Sequence, residues 1–107
     1  MSPDDSPRML QLREMLRNQP DDPFLLYGLA MEFKKADQPD LAIQHFDEVV
    51  RRDPNYCYAY YQRAQVHEAR GDVEAARQSL REGLDAADRS GDTHARSEIE
   101  AALSLLE

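Results

Sequence analysis

The chain has 107 residues, enough for one domain with a modest continuous core and too few for two independent ones. Its 13 basic side chains face 21 acidic ones, a net charge of -8, shared as 7 against 11 in residues 1–56 and 6 against 10 in residues 57–107. With no basic half or tail to hold phosphates, the average field repels nucleic acid and anionic lipid, so neither is an expected partner. Cys57 stands alone, which rules out an internal disulfide and points to a reducing compartment. No apolar run approaches the roughly 18–20 residues of a membrane helix and no signal segment opens the chain, so a cytoplasmic protein is expected.

Residues 1–6 are polar and expected to be flexible. Ser6-Pro7 reads as a helix start, a hydroxyl to cap free amides and a proline where its missing donor does no harm. Met9, Leu12, Met15 and Leu16 then recur at helical spacing and form one apolar stripe. Pro20 ends this helix, and Asp21-Asp22-Pro23 is a second cap-and-proline start. The helix from Pro23 to about Lys35 carries Leu25, Leu26, Leu29, Ala30 and Phe33. Asp37-Gln38-Pro39 breaks it. The next helix, ending near Arg52, carries Leu41, Ala42, Ile43, Phe46, Val49 and Val50, and Asp53-Pro54-Asn55 turns the chain again. A helix from about Cys57 to Arg70 is closed by Gly71 in a left-handed cap. Asp72 caps a helix that starts at Val73. Gly91 stops it, and the final helix begins at Asp92 or Thr93 with Ala95, Ile99, Ala102, Leu103 and Leu106 as its stripe. No segment shows the alternation of a strand.

Parts of this pattern repeat. Pro20 and Pro54 are 34 residues apart, as are Ala30 and Ala64, Phe33 and His67, Ala42 and Ala76, and Phe46 and Leu80. A fixed period of this size in helical sequence marks stacked units that bury their apolar faces on one another. The alanines allow close approach of paired helices, and Phe33, Phe46 and Leu80 fill the space between pairs.

The spacing resembles the tetratricopeptide repeat, a 34-residue helix–turn–helix unit. Leu26, Leu29, Ala30, Phe33, Ala42, Phe46 and Pro54 stand at its signature positions in one unit. Tyr60, Ala64, His67, Ala76, Leu80 and Gly83 stand there in the next. The resemblance implies an all-α, right-handed superhelical solenoid of about six helices. It comprises a half-repeat helix over 7–20, repeats over 23–56 and 57–90, and a capping helix over 92–107. Two departures stand out. Arg63 takes Leu29's place, so its stem is expected to pack while its head reaches water or an acid such as Asp47 or Glu48. Asp88 replaces the expected proline, so the second unit's last helix should run on to Ser90.

The resemblance also implies that the first helices of the repeats line a concave face that takes an extended peptide or a partner helix. Leu26, Leu29, Ala30 and Phe33 use up the core stripe, which leaves Phe24, Tyr27, Met31, Lys34 and Lys35 for that face, followed one period later by Tyr58, Tyr61, Gln65 and Glu68. Four aromatics there exceed what solubility asks for, although some of them also suit extra core. A clamp for the acidic tails of chaperones, as in one subtype of the family, is not expected. Its Lys and Asn places hold Tyr27 and Met31, and Gln62 stands in the next unit's Asn place.

No catalytic constellation is present. His67 takes the place of a core aromatic, His45 lies beside the inward Phe46, and His94 shares a face with Glu98 without a third ligand. Neither a metal nor a cofactor is expected, and Cys57 reads as a small packing residue. The expected function is therefore a non-enzymatic protein-interaction module whose ligand is a protein or peptide. The rival is a homodimeric structural module that buries its leftover apolar surface on itself.

Overall fold

The computed structural model describes residues 5–107, so most of the expected flexible N-terminus lies outside the described residues. Six helices follow in order: α1 (Pro7–Asn18), α2 (Pro23–Lys35), α3 (Pro39–Arg52), α4 (Cys57–Ala69), α5 (Val73–Ser90) and α6 (Thr93–Leu106). No strand occurs among the described residues, and none of their helices is long and apolar enough to cross a membrane.

Local chemistry accounts for the boundaries. Ser6, Asp22, Asp72 and Asp92 each accept hydrogen bonds from backbone amides of the first turn they cap. Prolines open α1, α2 and α3, where no intrahelical donor is lost. Gly71 and Gly91 turn the chain at φ +82° and +73°, a region open to residues without a Cβ. Asp37 makes the same turn after α2 at φ 57°, with no glycine to help. α5 does continue to Ser90 and reaches 18 residues, against 14 for α3.

The helices pair as α2 with α3 and α4 with α5, with α1 against α2 and α6 against α5. Ala30, Ala42, Ala64 and Ala76 are all buried at these pairings, which places paired backbones close together. One core cluster gathers Met9, Leu12, Leu26, Phe33, Phe46 and Val49. A second gathers Tyr60, Leu80, Ala87, Ala95 and Ile99, and Val50 packs against both. α2 also approaches α4, and α4 approaches α6, whereas α1, α3 and α5 make no such approach to one another. The α2–α4–α6 layer is thus the more crowded one, and the stack curves towards it.

Two stripe residues differ from expectation. Met15 and Leu41, expected in the buried stripes, are 45% and 37% exposed. Arg63 meets its expectation: its stem is buried and its head reaches Asp47, while Glu48 pairs with Arg51 and Arg52. Rather than extending into water, the guanidinium bridges three helices: Asp47 on α3, and Ser79 and Glu82 on α5.

Candidate functional site

The inner layer carries every residue singled out as groove-lining. Their exposures differ. Phe24 is 65% exposed, Lys35 and Glu68 are exposed, and Tyr27, Met31, Lys34, Tyr58, Tyr61 and Gln65 are half-buried.

Tyr61, Gln65 and Glu68 come together on one wall of a cleft of about 170 Å³. Its other wall is Ala102, Leu105 and Leu106 of α6, with Ala64 and Leu80 also lining it. Among the described residues Leu105 is the most exposed large apolar side chain, at 86%. It was not among the stripe residues of α6, because a helix stripe read from spacing alone stops at the side that faces its neighbour.

The α2 residues join the α4 residues at Lys34. Its ammonium donates to the carbonyl oxygens of Gln62 and Gln65, tying α2 to α4. Burial pushes the Lys34 pKa below its ordinary 10.5, since the charged form loses water. Lys34 lines two clefts: one with Met31, Glu32 and Lys35, and one of about 190 Å³ with Asp37, Pro39, Gln65, Val66, Ala69 and Arg70.

Tyr27 and Tyr58 are engaged within the fold. The Tyr27 ring stacks on Tyr56 at 4.9 Å and meets Phe46 edge-on at 5.8 Å, so its ring belongs to the first core cluster. Truncating Tyr27 would therefore cost stability. Tyr58 donates its hydroxyl to Glu98 at 3.3 Å, and its ring stands edge-on to Tyr61 at 6.4 Å. Glu98 also takes His94 at 2.6 Å. Phe24 projects from the first turn of α2 and lines none of these clefts.

His67, His45 and Cys57 are engaged within the fold. His67 is half-buried beside Asp47 and Arg63, and burial lowers its pKa from the ordinary 6.5. His45 contacts the Leu41 carbonyl through Nδ1 at 2.8 Å and lies against Phe33. Cys57 is buried and its thiol donates to the Asn55 carbonyl at 3.4 Å. Among the described residues no group of three or more His, Cys, Asp and Glu side chains is placed to hold a metal ion.

Comparison with known proteins agrees with this architecture. Profiles of the tetratricopeptide repeat match residues 24–56 and 45–78. A TPR repeat-containing protein of Pseudomonas aeruginosa is 30% identical over 96 residues, covering 90% of this chain and 91% of the relative. The solution structure of a tetratricopeptide repeat domain protein from Salinibacter ruber is 32% identical and superposes with a TM-score of 0.77, over 82% of this chain and 89% of that one. The TPR2B domain of yeast Sti1, solved in a complex with pHsp70, superposes with a TM-score of 0.84 at 19% identity, over 92% of this chain and 78% of that one. The identity and coverage of the Pseudomonas relative, together with the two overlapping family matches, place the chain in the tetratricopeptide repeat family.

Proposed function

We propose that the protein is an interaction module that takes a peptide or partner helix on the inner face formed by α2, α4 and α6. The observation that carries this reading is the cleft between α4 and α6, where Tyr61 faces Leu105 and Leu106. An 86% exposed leucine beside a half-buried tyrosine gives apolar area with a hydrogen-bonding tip, the combination that anchors partners. Most of the face is already ordered by Lys34–Gln62, Lys34–Gln65 and Tyr58–Glu98, so binding requires little reorganisation. The yeast Sti1 domain of similar fold, solved in its pHsp70 complex, supports an interaction role in general terms. Nothing in the face supplies a base, a nucleophile and oxyanion donors together, so a binding role is preferred to catalysis.

The test is affinity capture from the native lysate with the wild type and a Tyr61→Ala/Leu105→Asp variant. Partner recovery per mole of folded protein should fall more than tenfold in the variant, and its melting temperature should drop modestly because Tyr61 packs against the second core cluster. Undiminished recovery by the folded variant contradicts the reading. Leu105 equally suits a second copy of the chain, and a concentration series in sedimentation separates that outcome by its mass.

A further inference from the structure

We infer that Lys34 pairs with a side-chain carboxylate, Asp or Glu, on the segment that the inner face takes; this rests on the reading proposed above and specifies the partner's chemistry. Acids outnumber bases 21 to 13 in this chain, and its cations mostly have carboxylate partners. Lys35 pairs with Glu32, Arg63 with Asp47 and Glu82, Arg70 with Asp40, and Arg96 with Asp88 and Glu100. Among the described residues Lys34 has no carboxylate within ion-pair distance. Two neutral glutamine carbonyls hold it instead, where a cleft lined by Met31, Glu32 and Lys35 of α2 meets one that α4 forms with Asp37 and Pro39 at the α2–α3 turn.

An ammonium has three donors, and Lys34 uses two of them on Gln62 and Gln65. The third is free for a ligand, and the glutamines fix the direction of the group without neutralising it. Such a half-buried cation gains most from a partner that brings the missing charge. The charged groups around it leave room for that partner. Glu32 is turned to Lys35 and Ser6, Arg70 is held by Asp40, and Asp37 stands exposed on the rim. Pro39, Val66 and Ala69 line the adjoining cleft, so the acid should sit next to an apolar residue of the partner.

This contact differs from a clamp on a chain terminus. A single lysine with two neutral acceptors lacks the several donors that gripping two carboxylates at once requires. The inference therefore commits to an internal acidic side chain.

The experiment selects ligands from a random 12-residue peptide library displayed on phage, using the wild-type protein as bait. The leading peptide is then made with an amidated C-terminus and a fluorescent label, and its Kd is measured by anisotropy. Enriched peptides should carry Asp or Glu beside an apolar residue. Lys34→Gln should raise Kd roughly 10- to 100-fold, the weight of a charge-assisted hydrogen bond. Changing the peptide's acid to its amide should raise Kd similarly on the wild type and add little on Lys34→Gln. A melting curve of Lys34→Gln verifies that the fold is kept. Unchanged binding by Lys34→Gln, indifference to the peptide's acid, or binding only by the free C-terminal acid would overturn the inference. The Leu105→Asp variant separates the two levels. If it abolishes binding while Lys34→Gln does not, the Lys34 contact is wrong and the groove stands. If Leu105→Asp binds as the wild type does, or if nothing is enriched, both fail.

Discussion

The Arg63 guanidinium donates through Nε to the Ser79 hydroxyl at 2.9 Å, in a position that Leu29 fills in the preceding repeat. Arg63 is only 8% exposed, and its other nitrogens reach Asp47 and Glu82, both of which remain partly in water. Taking the charge out of water opposes the gain from these pairs, so its net contribution should be small while its stem packs. Arg63→Leu is therefore expected within about 1 kcal/mol of the wild type, and Arg63→Ala should lose about 2–4 kcal/mol through the cavity it leaves. Urea unfolding of the two variants checks this. Equal losses would show that the ion pairs, rather than the stem, stabilise the site.

Gly83 gives a second prediction. In the first repeat the same position holds Val49, fully buried. In the second, a Cβ at Gly83 would lie 3.1 Å from Ile99 Cδ1 and 3.1 Å from Tyr60 Cβ. Ile99 has moved into the space that a larger residue would take. Gly83→Val should thus displace α6 and lose about 1–3 kcal/mol by overpacking, despite the better helix propensity of valine. A variant as stable as the wild type would mean that α6 is loosely seated.

Helix phase is tested at two alanines of α4. Ala64 is buried at the α4–α5 pairing, whereas Ala69, five residues later and on another face, is exposed. Ala64→Leu should lose about 1–3 kcal/mol and Ala69→Leu should stay within about half a kcal/mol. Thermal melts of both suffice, and similar values would contradict the assigned phase.

Much of this architecture is legible in the residues. Cap residues such as Ser6, Asp22 and Asp72 act within one turn of themselves, so local chemistry alone locates the helix starts. The 34-residue spacing likewise identifies Ala30, Phe33, Ala42 and Phe46 as core. Burial by a distant element is harder to read. Tyr27 looks like a surface aromatic of α2 until Tyr56, 29 residues on, stacks against it. Leu105 enters the cleft only through the way α6 meets α4, two elements whose first residues lie 36 positions apart in the chain. Gln62 reads in the sequence only as a replaced asparagine, because its contact depends on Lys34 crossing from another helix.

The Tyr27–Tyr56 stack also has a pH signature. Burial first, then Tyr27, Asp53 and Asp22, pushes the Tyr56 pKa from its ordinary 10.0 up to about 12. The folded state therefore holds this proton more tightly than the unfolded state does. Its stabilising effect is in place below about pH 10 and is lost as pH rises towards 12. Tyr56→Phe should lose less stability than the wild type on going from pH 7 to pH 11. Melting temperatures at the two pH values test it, and an identical alkaline drop would show that Tyr56 is not responsible.

The α2–α4–α6 face, and not the α3–α5 side, is the surface proposed to receive the partner. Backbone amide shifts of the ¹⁵N-labelled protein, followed while the phage-selected peptide is added, read this directly. The largest shifts should fall on Met31, Lys34, Tyr61, Gln65, Glu68 and Leu105. Shifts concentrated instead on Ile43, Asp47, Gln78 and Glu82, around the outer recess above Arg63, would contradict the account.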